Sequence, residues 1–568
     1  DTVAGGWARL AAKIKEIRTA KTGAGNAVLL VDSGDFTMGT VYDLLWNTDP
    51  APLRFINSMQ YDLITWGNHE FDYGPEKLAT MINRARAATG GFTVPIIATN
   101  TVFDGIAGTA DDGLEALKNA GVIINDYYVK TCANGLKVGV IGLMGRQADA
   151  YSPNAPPVSF KSDYVNDAVK TFIQGKVNTL RNTLGVHVVI ALSHSGIIDP
   201  NGTPSGDDVI LAQNITGIDI ILSGHEHAKT NAVVPVVNGN HTSYIICAGV
   251  NGTNLAQLDF TVNLTQRKIS TTPILTNHAI NDTIMGDAGI NTLVQTMNAS
   301  INNMLNPLGT SLSSVVATSD ITLGEPPMIQ EFGLGNLLAD AVRYVGTENG
   351  IPTIGTFANG VIRDTIRKDQ VMSFADLFAV TPMGMTTDDT QNPLLPGYPL
   401  LKIYVDGNEV WDLCKFDATI MAFQAYPAYY VSLSGLKCTF SGTTVNDAAF
   451  YAWNDYTSTG PATTIPKGMG ALYPVIIDKY TMDMILSDEI QFLLALVGVS
   501  LQPKLSDGTV IDRNNLLSAR LDRDAAAAGA QEYSAWMATL KFFTDTGALN
   551  GTIPAVPYDL STKRMIAQ

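Results

Sequence analysis

Residues 188–196 read Val-Val-Ile-Ala-Leu-Ser-His-Ser-Gly, and the fold class turns on how they are taken. Five apolar residues in succession, three of them β-branched, end in a polar turn closed by glycine. A strand with one wet face alternates apolar and polar residues, so a continuous run indicates a strand buried on both faces. Its last residues fall at the carboxyl end of the strand, the side on which open α/β sheets form their crevices. The same unit recurs outward in both directions. Apolar runs at Ala27–Val31, Leu63–Trp66, Val94–Ala98, Val138–Leu143, Ile218–Leu222 and Tyr244–Ala248 each lead into a polar, glycine-containing turn and then a helical stretch. Strands alternating with helices in this way imply a layered α/β domain reaching to about residue 280.

At 568 residues the chain is too long for one core, so a second lobe is expected. Residues 281–307 read as a linker in which Asn291–Leu305 is an amphipathic helix carrying Leu293, Met297, Ile301 and Leu305 along one face. The style then changes to α+β over residues 308–568. Gly335–Tyr344 looks helical, and strand-like runs recur at Thr353–Phe357, Leu400–Val405 and Tyr429–Leu433. The expected division is therefore 1–280, 281–307 and 308–568.

The formal net charge is −17, which repels nucleic acid polymers and anionic membrane surfaces, and no run of Lys or Arg reverses that field. No apolar stretch approaches the ~20 residues of a membrane-spanning helix. Only 16% of residues are charged, a balance that leans towards a periplasmic or extracellular location. The four cysteines show no CxxC spacing, which removes support for thiolate metal sites. In an oxidising compartment the expected bridges are Cys132–Cys247 and Cys414–Cys438, with four free thiols as the alternative.

Chemistry concentrates in the turns after the strands. They carry Ser33-Gly34-Asp35, Gly67-Asn68-His69-Glu70-Phe71-Asp72, Ser193-His194-Ser195-Gly196 and Ser223-Gly224-His225-Glu226-His227, and hold four of the seven histidines. Oxygen and imidazole donors together suit borderline divalent cations such as Zn, Mn, Fe or Co. Asp35 has two oxygens with which to bridge two ions ~3.5–4 Å apart, the spacing used for in-line displacement at phosphorus. Asn68 adds a neutral oxygen, and His225 and His227, two apart, can approach adjacent ions.

The stretches GDFTMG (34–39), GNHEFDYG (67–74), SHSG (193–196) and SGHEHAKT (223–230) resemble the motifs of the calcineurin-like metallophosphoesterases. With GGWARL (5–10) and a long second lobe, the chain is similar to the 5′-nucleotidase, UDP-sugar hydrolase and 2′,3′-cyclic-nucleotide phosphodiesterase branch of that superfamily. The resemblance implies a layered α-β-β-α metallophosphoesterase domain followed by an α+β substrate-binding domain. It implies a metal-dependent hydrolase of nucleotides or related phosphate esters that uses two divalent metal ions. By the same likeness Asp35, Asn68, His194 and His225 hold one ion, and Asp35 with His227 holds the second. His69 then serves the transition state or the leaving oxygen, oriented by Asp72. In the second lobe, Phe357-Ala-Asn-Gly-Val-Ile-Arg363 resembles the substrate loop, which makes Asn359, Gly360 and Arg363 substrate-binding candidates. The Gly335-Asn-Leu-Leu-Ala-Asp340 helix reads as packing rather than contact.

The chain departs from the pattern in two places. The family's first strand ends in Asp-x-His, and Val3 stands where that His belongs. An additional segment before Asp1 is therefore expected, with the second metal site incomplete in this chain. Where the family stacks a Phe on the base, this chain has Pro382-Met383-Gly384-Met385, leaving Met383 as the candidate contact. Two alternatives stay open: a relative hydrolysing a different ester, similar to thiosulfohydrolases, or a surface or assembly protein with a degraded metal site.

Overall fold

The apolar runs of the first half lie in two sheets of a computed structural model that describes residues 3–121, 123–324, 329–387, 395–424, 427–452, 454–456, 460–524 and 526–568. The chain separates into one unit of Asp1–Met38 with Leu45–Ser300 and another of Gly39–Leu44 with Ile301–Gln568.

In the first unit, β1 (Val31–Asp32), β2 (Leu63–Ile64), β3 (Ile96–Ile97) and β4 (Ile124–Asn125) form a parallel sheet in that order. A second sheet contains β5 (Tyr128–Thr131), β6 (Lys137–Met144), β7 (Val188–His194), β8 (Ile220–Ser223), β9 (Val234–Asn238) and β10 (His241–Cys247), in the order β9-β10-β8-β7-β6-β5. Its four central strands are parallel and each edge is an antiparallel hairpin. Even-numbered residues of β6 and β7, Val138, Val140, Val188, Ile190 and Leu192, pack against Leu63 and Ile97 of the first sheet. Odd-numbered Ile141, Leu143, Val189 and Ala191 pack against Ile173 and Val177 of helix Asp167–Asn178 and Leu211 and Ala212 of helix Asp207–Asn214. Both faces are buried, which is why these strands read as unbroken apolar runs. Helix Asp112–Asn119 packs on β4 and on helix Gly74–Ala87, giving the first sheet its helical cover.

The edge strands were not foreseen. In β9, Val234 is buried and Pro235 exposed, and burial goes on alternating to Asn238, a pattern set by one wet face. This layout also corrects one expected disulfide. Cys132 follows the edge strand β5, whereas Cys247 ends β10, four strand positions away in the same sheet. At ~4.8 Å per position the gap is roughly 19 Å, beyond the ~7 Å limit on the Cα separation of a bridge. Both cysteines are free thiols.

In the second unit a four-stranded sheet runs in the order Leu400–Asp406, Leu472–Asp478, Ile354–Ala358, Val431–Ser434. Helix Gly407–Phe423 starts where Asp406 and Glu409 make reciprocal capping bonds, and Cys414 on it is bridged to Cys438 as expected. Helix Gly333–Gly346 packs on Ile354–Ala358 and Val431–Ser434. Its polar residues serve the core. Asp340, fully buried, pairs with Arg564 at 2.8 Å and accepts from Ser434 and Tyr558, while Asn336 donates to Glu331. The helix is packing, as read.

Candidate active site

The four chemistry-bearing turns of the first unit each follow or end a strand, and three of the expected metal ligands sit on strained backbone. Asp35 (φ 57°), His225 (φ 75°) and His227 (φ 54°) are left-handed, a conformation that L-residues keep only where the surroundings over-determine it. Such strain concentrates at functional sites. Gly67 lies at the crossing point, and a Cβ there would overlap the Asp35 carboxylate and the His194 ring, so no other residue lets these groups meet.

His194 is the centre of the cluster and only 1% exposed. Its Nδ1 lies 2.8 Å from the Ser33 carbonyl, to which it must donate. Its Nε2 is thereby turned to two oxygens, Asp35 Oδ2 at 2.9 Å and Asn68 Oδ1 at 3.2 Å. Asn68 Oδ1 is also 3.1 Å from His225 Nδ1. Electron pairs from three side chains converge, and something positive must lie between them. Burial opposes a second proton on His194, but Asp35 outweighs burial and raises the imidazole to about 9. His194 and His69 in turn hold the Asp35 carboxyl far below the usual range despite its burial. Burial and the neighbouring His194 push His225 down to about 3, leaving a neutral ring. Two oxygens and two imidazoles that compete for one positive charge form a donor set suited to a divalent cation.

Next to this cluster, His69 Nδ1 lies 2.7 Å from Asp72 Oδ2, and the His69 backbone N–H donates to Asp35 Oδ1 at 3.0 Å. Asp72 is 4% exposed, so the pair is shielded from solvent. His227 is exposed. The turns thus gather Asp35, Asn68, His69, Asp72, His194 and His225 into one contact network. Among the described residues, no three His, Cys, Asp or Glu side chains stand in a metal-holding group, since the amide of Asn68 is the partner shared by His194 and His225.

Asn359, in the turn after Ile354–Ala358, is 1% exposed, and its N–H donates to the Tyr430 carbonyl. Arg363 is exposed, and Met383 is 4% exposed. Gly360 lies against the Tyr480 hydroxyl, and the Tyr480 ring is 5.7 Å from that of Tyr398. Neither tyrosine was singled out in the sequence, because nothing near them repeats a recognisable spacing. Glu70 is also absent from the sequence candidates, although a carboxylate inside a glycine-flanked turn with no Lys or Arg beside it signals that backbone N–H groups satisfy it.

Residues 1–229 match the family model of the calcineurin-like phosphoesterases. The chain is 27% identical over 405 residues to the trifunctional nucleotide phosphoesterase protein YfkN of Bacillus subtilis, covering 67% of this chain and 25% of that one. A snake venom 5′-nucleotidase of Naja atra is 26% identical over 410 residues, covering 68% of this chain and 69% of that one. The chain thus spans about a quarter of the Bacillus relative's length. Among solved structures, the 5′-nucleotidase precursor of Thermus thermophilus shares the fold with a TM-score of 0.65 at 18% identity, covering 97% of this chain and 94% of that one. Calcineurin-like phosphoesterases use divalent metals.

Proposed function

We propose that the chain is a divalent-metal-dependent phosphoester hydrolase that releases phosphate from nucleotides or related esters, working outside the cytoplasm. The observation that carries this reading is the meeting of Asp35 Oδ2, Asn68 Oδ1 and His194 Nε2 within 2.9–3.2 Å, beside the His69–Asp72 pair. Asp35, Asn68, His194 and His225 would hold one ion, and Asp35 with His227 would contribute to a second. Divalent ions bound there would neutralise charge developing on the phosphoryl oxygens and make water a stronger nucleophile at neutral pH.

The chain's own groups do the rest. With its Nδ1–H held by Asp72, His69 in its doubly protonated form would give the Nε2 proton to the leaving oxygen and return to the neutral Nδ1–H ring. The neutral oxygen of Asn68 limits the negative charge presented to an anionic substrate. We assign recognition of the non-reacting part of the substrate to Asn359, Gly360, Arg363 and Met383, with the exposed guanidinium of Arg363 suited to phosphate or ribose oxygens. The Cys414–Cys438 bridge supports a periplasmic or extracellular setting, where such bonds persist. None of the described helices is long and apolar enough to cross a membrane.

The test is a hydrolysis screen with added Mn²⁺, Zn²⁺ or Co²⁺ over nucleoside mono-, di- and cyclic phosphates, UDP-glucose and simple phosphate esters. Phosphate release from a nucleotide that is abolished by EDTA is expected. Metal-independent release, or none from any of these esters, would overturn the reading.

A further inference from the structure

Two of the site's turns hold each other by an exchange of carboxylates. Asp35, from the turn after β1, accepts the His69 backbone N–H through Oδ1 at 3.0 Å. Glu70, from the turn after β2, answers in the opposite direction. Its Oε2 accepts from Gly67 N at 2.6 Å and Asp35 N at 2.9 Å, and its Oε1 accepts from Thr37 N at 3.0 Å and Thr37 Oγ1 at 2.9 Å. The side chain is 0% exposed and no cation pairs with it among the contacts described. Three of its four donors are backbone N–H groups, which cannot reverse their role. Oε2, which faces two of them, must therefore be an oxygen without a hydrogen, and Oε1 must accept from the third.

This arrangement does more than fill space. The N–H of Asp35 is fixed by Glu70 while its φ is 57°, so the strained conformation that aims Asp35 Oδ2 at His194 is paid for by that bond. The N–H of Gly67 is fixed by the same oxygen one residue before Asn68, whose amide faces His194 and His225. We propose that Glu70 is a positioning residue for the metal site: one carboxylate sets the separation and aim of Asp35 and Asn68 by clamping the backbone of both turns. The role rests on the metal-dependent reading given above.

Groups that orient ligands in this way are worth 10–100-fold in metal affinity where they have been removed. Glu70→Gln keeps the shape but turns one oxygen into an N–H₂ that must face a backbone N–H on either side. Glu70→Asp keeps the charge but draws the carboxylate back from one of the two turns. Thr37→Val removes a single side-chain donor and leaves the three backbone bonds.

The experiment is Mn²⁺ titration by calorimetry of the full-length chain and the three variants, with the visible spectrum of the Co²⁺-loaded proteins as a reading of ligand geometry. Thermal unfolding in EDTA is measured alongside. We expect Mn²⁺ to bind Glu70→Gln 10–100-fold more weakly with an altered Co²⁺ spectrum, and Glu70→Asp to be weakened too, while Thr37→Val loses less than threefold. Should Glu70→Gln fail to fold, Glu70→Asp and Thr37→Val carry the comparison. If the folded Glu70 variants lose melting temperature in EDTA but keep the parent's Mn²⁺ affinity and Co²⁺ spectrum, Glu70 is structural and the inference is overturned. If the unaltered chain binds no Mn²⁺, the metal reading itself fails, and this role with it.

Discussion

His69 and Asp72 form a half-buried hydrogen bond of 2.7 Å between Nδ1 and Oδ2, one helical turn apart on the segment His69–Tyr73. The His69 backbone N–H, bound by Asp35, ties the pair to the ligand cluster. The ring, held by Asp72, is assigned proton transfer rather than metal ligation. His69→Ala should keep the metal content of the parent and lower turnover by ~10²–10⁴, the range for a lost general acid or base. Asp72→Asn should lower turnover as well, with metal again retained. Metal analysis and kcat on a nucleoside monophosphate check both. Loss of metal from His69→Ala would place the ring among the ligands instead.

The opposite result is expected within the cluster. Asn68 Oδ1 contacts both His194 and His225, so Asn68→Ala removes the oxygen that joins them. Asn68→Ala and His225→Ala should each bind Mn²⁺ at least tenfold more weakly, measured by equilibrium dialysis. Parent-like binding in both would exclude these residues as ligands.

The parallel strands and the turns after them were legible because burial on both faces writes an unbroken apolar run, as in Val188–Leu192, and because the polar residues at its end have no reason to be there except chemistry. The edges were not, since β9 alternates and looks like any hairpin or loop. Helix Gly333–Gly346 and the strands beside it were read nearly to their ends, but the partner of Asp340 lies 224 residues away at Arg564, a pairing that no local pattern reveals. The same holds for Cys132 and Cys247: residue type permitted a bridge, and only the strand order forbids it. Within the site, the spacing of motifs identified which residues gather. Which of them clamp backbone, as Glu70 does, depends on N–H directions that appear only once the turns are folded.

The Asp340–Arg564 pair ties the end of the chain to the second unit's central helix, and Arg564 is only 1% exposed. Its guanidinium also donates to the carbonyls of Asn336 and Leu433. Asp340→Ala leaves a buried cation unpaired, which costs about 3–5 kcal/mol. A fall of several degrees in the melting temperature by calorimetry is expected. A fall no larger than that of a surface Asp→Ala control would show that the carbonyls alone satisfy Arg564.

The Cys414–Cys438 bridge closes a loop of 24 residues between a helix and a strand. By loop-closure entropy it contributes about 3 kcal/mol to stability. The double variant Cys414→Ala/Cys438→Ala should unfold earlier by that amount in denaturant, and the parent should shift to match once reduced. Equal midpoints for oxidised and reduced parent would refute the contribution.

Behind the His194 turn, Tyr164 OH, Ser195 Oγ, Ser193 Oγ and Asp208 Oδ1 form a buried chain of hydrogen bonds of 2.5–2.7 Å. The other oxygen of Asp208 has no hydrogen-bond partner among the described residues, and it is where a proton would reside. Burial lifts this carboxyl from its ordinary 3.8 to about 7. An acid whose folded pKa is raised binds its proton more tightly in the folded state than in the unfolded one. Its stabilising contribution is therefore complete below about pH 4 and is lost progressively as pH rises through about 7. Asp208→Asn carries an amide of the same shape that never ionises. Other groups titrate over the same window, so the informative quantity is the difference in melting temperature between Asp208→Asn and the parent at each pH. That difference should move in favour of the variant between about pH 5 and pH 8, and a difference that stays flat across the window would show that Asp208 is ionised in the folded protein throughout.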